Sequence, residues 1–166
     1  MNKIRTAVVA GFLSVVSASS IAAIPGFWSE NFIQGYMQYD LASKAGQIFQ
    51  LSCAEGARTD IDSSPDNSVY LYLDSNYDKS YSSSEQNMSV LIDDVPFKIP
   101  SQTATSSDAG LWYQFYDALK GATEFTVYVD NKPVGTFNAS KKNLAKIFGS
   151  DANASCAAMI DWDWSE

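Results

Sequence analysis

The sequence predicts an α+β domain: one mostly antiparallel, twisted sheet of about 7–8 strands, two short helices and one disulfide. Three observations support this class. Short segments rich in β-branched and aromatic residues recur between clusters of turn residues. Helical spacing of apolar residues occurs only late in the chain. The only two cysteines, Cys53 and Cys156, lie far apart in the sequence.

The first 23 residues have the order of a secretory signal. Lys3 and Arg5 form a basic start, an apolar run of about 10 residues follows, and small residues extend to Ala23. That run is shorter than the ~20 residues that span a bilayer as a helix. We therefore expect removal of residues 1–23 and a periplasmic or secreted domain over 24–166, with no membrane span. The alternative is an uncleaved amphipathic or membrane helix.

The first strands are predicted as a hairpin of residues 33–41 and 46–54 around the turn 43–46. This arrangement places Cys53 at the end of a buried strand. A polar loop then leads to residues 68–73, whose β-branched and aromatic content is typical of a strand.

The second half of the chain is predicted to contain the remaining strands and both helices. Asp108 is predicted to cap a helix that ends near Gly121, and Ser140 a helix that ends at Gly149. The apolar residues expected to face the core from the first helix are Leu111, Phe115, Ala118, Leu119 and Ala122. The predicted strands cover 88–92, 95–99, 125–129, 134–139 and a half-buried terminal segment at 160–164.

Cys53 and Cys156 are predicted to form a disulfide, because an even pair of cysteines in an exported chain normally pairs. Two free buried thiols and an intermolecular bridge are the alternatives. A Cys-x-x-Cys redox motif is absent from the sequence.

The chain is acidic. It carries 11 basic and 19 acidic residues, a net charge of −8. Loss of Lys3 and Arg5 with the signal lowers this charge to −10. Such a surface repels nucleic acid and anionic lipid. It suits a basic protein partner or a cation. The alternative is a solvated acidic surface that binds neither.

The amino-acid composition excludes the commonest catalytic mechanisms. There is no histidine, so Ser-His-Asp and Cys-His catalysis and histidine-ligated metals are excluded. A Gly-rich phosphate-binding motif is also absent. Paired carboxylates remain open, but adjacent acids such as Asp93 and Asp94 do not share a site on a strand. We therefore expect a protein that is not an enzyme and uses no cofactor.

One segment has the spacing of a calcium-binding loop. Residues from Asp74 to Glu85 place oxygen-bearing side chains at ligand positions of the twelve-residue loop. Lys79 stands where that loop has glycine, and both flanks are predicted strands. A solvated loop of turn-forming residues is the alternative.

Four aromatic residues are candidates for partner contact. Tyr77 and Tyr81 lie in a Ser-rich stretch whose composition resembles an adaptable paratope. Trp162 and Trp164 alternate with acids near the end of the chain, and tryptophan is enriched at interface hot spots. An ordinary loop and a packed terminal strand are the corresponding alternatives.

The order of these features is similar to small exported proteins of the invasion-associated locus B type. The shared pattern is an early strand that ends in Cys53, a strand at 88–92 before a turn, a block of helix, strand, turn and strand from Leu111 to Phe148, and a closing Cys156. Where that family often has Leu-x-Gly-Ser, this chain has residues 137–140, Phe-Asn-Ala-Ser. The resemblance implies a periplasmic or secreted location and no established catalytic residues.

Two hypotheses for a protein without catalysis follow, and carboxylate-based hydrolysis, which requires two acids that converge in a cleft, is the third. The first is a non-enzymatic periplasmic binding or accessory protein that acts through protein contacts, using the polar loops 55–67 and 74–86 or the terminal segment. The second is a periplasmic immunity protein or inhibitor of a wall hydrolase or toxin, since electrostatic attraction speeds capture of a basic target.

The Cys53→Ser substitution should lower the free energy of unfolding by about 4–5 kcal/mol, the chain-entropy value for a loop of ~100 residues. Thermal unfolding with and without reductant measures the effect. An identical melting temperature for the wild-type protein with and without reductant would contradict the disulfide assignment.

Overall fold

The computed structural model describes residues 23–55, 66–149 and 156–158. Within these ranges the chain forms nine strands and two helices. The α+β class is confirmed, but the expectation of one sheet is wrong, because the strands form two separate antiparallel sheets. The elements are β1 (Trp28–Ile33), β2 (Tyr36–Ala42), β3 (Ile48–Ala54), β4 (Ser68–Tyr72), β5 (Ser80–Ser82), β6 (Met88–Ile92), β7 (Val95–Ile99), α1 (Ser106–Gly121), β8 (Glu124–Val129), β9 (Lys132–Asn138) and α2 (Lys141–Phe148).

The first sheet has five strands in the order β1-β2-β3-β4-β5, and the second has four in the order β7-β6-β8-β9. The predicted hairpin around residues 43–46 is present as β2 and β3. Its first strand starts later than expected, because Gln34 and Gly35 adopt positive φ and turn the chain between β1 and β2. The two-residue turns at Asp93-Asp94 and Asp130-Asn131 also have positive φ at both positions, as tight hairpins require.

One hydrophobic core joins the inner faces of both sheets and the two helices. Aromatic rings connect the sheets: the ring centroid of Phe49 lies 5.0 Å from that of Phe125 and 5.8 Å from that of Phe137. Strand β3 is buried along its whole length. Its inner face fills this core, and its outer face lies beneath polar side chains.

Helix α1 starts earlier than predicted. Thr105 is the N-cap, and its Oγ1 accepts a hydrogen bond from the Asp108 backbone N at 3.2 Å. Asp108 therefore stands inside the first turn, where its negative charge complements the helix dipole. Leu111 is only half-buried, whereas Trp112, which the apolar spacing did not single out, is fully buried.

Helix α2 is held against the edge strand β1. The Asn143 side chain accepts from the Trp28 backbone N at 2.6 Å and donates to the Trp28 carbonyl oxygen at 3.1 Å. Ser140 stands at the N-cap position as predicted, but its side chain makes no capping hydrogen bond. No helix among the described residues is long and apolar enough to cross a membrane.

The predicted disulfide between Cys53 and Cys156 is present, with the two Cα atoms 5.0 Å apart. It attaches the segment after α2 to the end of the central strand β3. Both cysteines are buried. The alternative of free thiols is therefore wrong, and no free cysteine occurs in the described part of the chain.

Buried Asn67 forms a second attachment beside the disulfide. Its Oδ1 accepts from the Ala54 backbone N at 2.8 Å, and its Nδ2 donates to the Ala157 carbonyl oxygen at 3.0 Å. The Asn67 backbone N donates to Thr103 Oγ1 at 3.1 Å. The end of β3, the segment at 156–157 and Thr103 thus meet at this one residue, two of them through its side-chain amide and Thr103 through its backbone N.

Replacing Asn67 with alanine should lower the free energy of unfolding by about 2–4 kcal/mol, because buried backbone groups lose their partners. Chemical denaturation measures the change. Asn31→Ala, at an exposed position on β1, is the matched control and should stay within ~0.5 kcal/mol of wild type. Equal midpoints for the Asn67 variant and the control would contradict the structural role.

Candidate functional site

The outer face of the first sheet carries a cleft of ≈ 570 Å³, a volume typical of small-molecule sites. Strand register builds it in rows. Asp40 on β2 lies opposite Gln50 on β3, and Gln50 lies opposite Tyr70 on β4. The next row is formed in the same way by Gln38, Ser52 and Ser68. The lining residues are Ile33, Gln34, Tyr36, Gln38, Gln50, Ser52, Asp66, Asn67, Ser68, Tyr70, Tyr72, Ser84 and Ser101.

Gln50 is the buried centre of a hydrogen-bonded chain across this face. Only 6% of the residue is exposed. Its Nε2 donates to Asp40 Oδ1 at 2.8 Å, and its Oε1 accepts from the Tyr72 hydroxyl at 3.4 Å. Burial raises the pKa of Asp40, an effect that the hydrogen bond from Gln50 partly offsets. The amide therefore positions both a carboxyl group and a tyrosine at the cleft.

Several polar side chains in the cleft are left without an internal partner. Ser52 is only 5% exposed, yet its hydroxyl makes no hydrogen bond with any described residue. The side chains of Gln38, Ser68 and Tyr70 likewise have no such partner within the described ranges. The Ser52 oxygen is reachable from the cleft, since Trp28 Nε1 is the one fully buried side-chain polar atom without a partner among the described residues. These groups are therefore open to solvent or a ligand.

Three tyrosines form a wall at one end of the face. Tyr70 and Tyr72 stack with ring centroids 6.2 Å apart, and Tyr77 meets Tyr72 edge-on at 4.6 Å. Burial raises the pKa of Tyr72, to which Tyr70, Asp40 and Tyr77 also contribute, and burial followed by Asp40 raises that of Tyr77. The hydroxyls of Tyr72 and Tyr77 therefore stay protonated at neutral pH, when a tyrosine hydroxyl both donates and accepts hydrogen bonds.

The structure separates the residues expected to make partner contacts. Tyr77 is 48% exposed and belongs to the tyrosine wall. Tyr81, in β5, lies opposite the core residue Leu71 of β4. Its side chain therefore faces inward and packs against the core. Trp162 and Trp164, with the predicted terminal strand, lie outside the described residues.

The sequence analysis did not single out Tyr70, Tyr72 or Gln50. A signal was present, since the alternation at 68–73 puts both tyrosines on one face of a strand. Their meeting with Gln50 depends on the register between β3 and β4, which no local pattern reveals.

The calcium-like segment folds mainly as a turn and a strand. Asp74 Oδ1 accepts from the Asn76 backbone N at 3.0 Å, and Ser80–Ser82 pair with β4. Ser82 is buried, and Glu85 stands in the following exposed turn. This differs from a loop wound around one cation, whose ligands converge from alternate residues.

The acids near the cleft are too far apart for paired-carboxylate hydrolysis. Asp40 and Asp66 are separated by two strands and about four residues along the strand direction, which corresponds to roughly 16 Å. Glycosidase carboxylates lie about 5–9.5 Å apart. Asp66 Oδ1 also accepts bonds from the Thr103 backbone N and Oγ1, at 2.6 and 3.1 Å. No group of three or more acids or cysteines fit to hold a metal occurs within the described ranges.

Asp40→Asn should raise the free energy of unfolding at neutral pH, because the raised pKa means that folding disfavours the charged carboxylate. An asparagine oxygen can still accept from Gln50. The advantage over wild type should grow as pH rises from the ordinary value of 3.8 through the folded-state pKa, and vanish below 3.8. Urea denaturation from pH 3 to 7 measures it. Asp130→Asn, at an exposed turn, controls for net charge, and a pH-independent difference for the Asp40 variant would refute the assignment.

Comparison with known proteins identifies relatives but no solved structure that matches. The chain is 28% identical over 133 residues to Escherichia coli K12 YkfB, across 80% of this chain and 84% of that protein. It is 27% identical over 136 residues to YfjT of the same strain, across 81% and 85%. Both relatives are described as uncharacterized proteins. The similarity to the invasion-associated locus B type stays a prediction. The YfjT family model matches residues 26–148, and the chain therefore belongs to the YfjT family.

Proposed function

We propose that this chain is an exported, non-enzymatic binding protein whose ligand site is the cleft on the outer face of the first sheet. One observation carries the proposal: the cleft floor presents the unpartnered Ser52 hydroxyl beside the ordered Gln50 network. Such groups, together with a tyrosine wall, are what a preformed binding site presents to a ligand.

Export is supported by two features. The first 23 residues have the order of a secretory signal. The disulfide between Cys53 and Cys156 is of the kind that persists in oxidising compartments such as the periplasm. Both features fit a protein that works outside the cytoplasm.

The absence of catalysis is supported by chemistry. The sequence has no histidine, and the two acids nearest the cleft are separated by roughly 16 Å. Each of these acids already accepts hydrogen bonds from its neighbours. The cleft therefore offers groups that hold a ligand, without a nucleophile and base arranged to transform it.

A second function, inhibition of a basic wall hydrolase, is favoured by the net charge of −8. In that case the partner would be a cationic protein, and Tyr77 at the exposed end of the tyrosine wall would contact it. Inhibition of the captured hydrolase by the purified chain distinguishes this function from simple binding.

The test is capture from native periplasmic or culture extract on the immobilised mature protein, with mass spectrometry for proteins and compositional analysis for saccharides. Tyr70→Ala removes a cleft wall. Tyr128→Ala removes an equally half-buried tyrosine from the second sheet and is the matched control. Melting temperatures confirm that both variants fold.

We expect wild type and the Tyr128 variant to retain the same material. The Tyr70 variant should bind it about tenfold more weakly, as for removal of a contact worth ~1.4 kcal/mol. The recovered ligand should be chemically unchanged after incubation with the protein. Equal retention by both variants, or no retained material at all, would exclude the cleft as the binding site.

A further inference from the structure

We infer that the ligand of the cleft is a neutral, hydroxyl-rich oligosaccharide. This inference rests on the proposed function and adds the chemical class of the ligand. It follows from the charge of the cleft, from the hydrogen-bonding character of its unpartnered groups, and from its position in the middle of a sheet.

The charge of the cleft excludes an anionic ligand. Its lining contains no lysine or arginine among the described residues, and Asp66 is its one charged member. Asp40 is not part of the lining, and its Oδ1 accepts a hydrogen bond from Gln50 Nε2. Phosphates, carboxylates and nucleic acids need cationic side chains or exposed backbone N–H groups. A cationic ligand would require a free carboxylate, whereas half-buried Asp40 accepts a hydrogen bond from Gln50 and Asp66 accepts two from Thr103.

The unpartnered groups are of one chemical kind. The hydroxyls of Ser52, Ser68 and Tyr70 and the amide of Gln38 each both donate and accept hydrogen bonds. A sugar hydroxyl has the same dual character, so every sugar hydroxyl that enters the cleft can pair in either direction. Tyrosine rings add an apolar surface for the C–H groups of a sugar, while their hydroxyls stay polar.

The position in the sheet disfavours an extended peptide. Strands β2, β3 and β4, which carry the floor, each have a neighbouring strand on both sides. Their backbone N–H and C=O groups are paired in the ladders, so strand addition, the usual way a sheet captures a peptide, is not available there. Recognition must come from side chains, which is how a sheet face binds a compact polar ligand.

The test is titration of the mature, disulfide-bonded protein with maltotriose, cellotriose and N-acetylated chitotriose, followed by amide chemical shifts in two-dimensional NMR. Sialyllactose is the anionic comparison. With ligand up to ~10 mM, a Kd near ~1 mM is measurable. At least one neutral trisaccharide should shift amides of residues 36–38, 50–52 and 68–70, and sialyllactose should bind at least about fivefold more weakly.

Ser52→Ala should weaken the best saccharide about fivefold to tenfold, the effect of one hydrogen bond. Ser89→Ala, on the outer face of the second sheet, should leave the affinity unchanged. Gln38→Ala provides a second cleft variant, and melting temperatures verify folding of all three.

Two results would overturn the inference. Saccharide-induced shifts outside the cleft would place the sugar elsewhere. No cleft shifts with any neutral trisaccharide would exclude the saccharide class, and capture of a protein from extract in a Tyr70-dependent manner would then leave the proposed function standing. Failure of both experiments would reject both proposals.

Discussion

The burial of strand β3 on both faces is the constraint on which the rest of the structure depends. Phe49, Leu51 and Cys53 point into the core between the two sheets, where they are almost completely buried. Gln50 and Ser52 point the other way and are nearly as buried. An unpartnered buried polar group costs ~1–3 kcal/mol, so the outer face must supply partners. Gln50 is hydrogen-bonded to Asp40 and Tyr72, and the Ser52 hydroxyl opens onto the cleft.

The end of the same strand holds the chain together over long sequence distances. The disulfide from Cys53 attaches the segment after α2, and Asn67 attaches that segment to β3 and β4 through hydrogen bonds. Asp66, the residue before Asn67, both lines the cleft and accepts hydrogen bonds from Thr103. The junction that stabilises the fold is therefore continuous with one end of the cleft, which positions the floor on rigid elements as a binding site requires.

The whole chain is strongly acidic, whereas the cleft is nearly neutral, and the two facts have different consequences for binding. A net charge of −8 describes the surface and suits solubility. The cleft is nearly neutral, because its polar members are mostly hydroxyls and amides. Recognition at this site therefore depends on hydrogen-bond complementarity and on contact with tyrosine rings, rather than on electrostatic attraction. The aromatic wall is preorganised, since Tyr72 is in contact with both Tyr70 and Tyr77.

Local physics in the sequence determined most of the elements. Segments rich in β-branched and aromatic residues located β4, β6 and β8, and the acidic turns Asp93-Asp94 and Asp130-Asn131 tolerate the positive φ that their hairpins need. With only two cysteines, Cys53 had one possible intramolecular partner. The division into two sheets was not predictable in this way, because the pairing of β6 with β8 spans α1 and is non-local.

Only the tertiary structure decided where the candidate site lies. The sequence grouped Tyr77 with Tyr81, but Tyr77 lies in the turn before β5 with positive φ, whereas the pairing of Tyr81 with Leu71 in the sheet turns Tyr81 into the core. The cleft arises because the register of three strands aligns Gln38, Ser52 and Ser68, which are far apart in sequence. The sequence alone thus determined the fold class and the disulfide, since both follow from local patterns and cysteine count. The cleft required the strand register, which the packing of the whole chain sets.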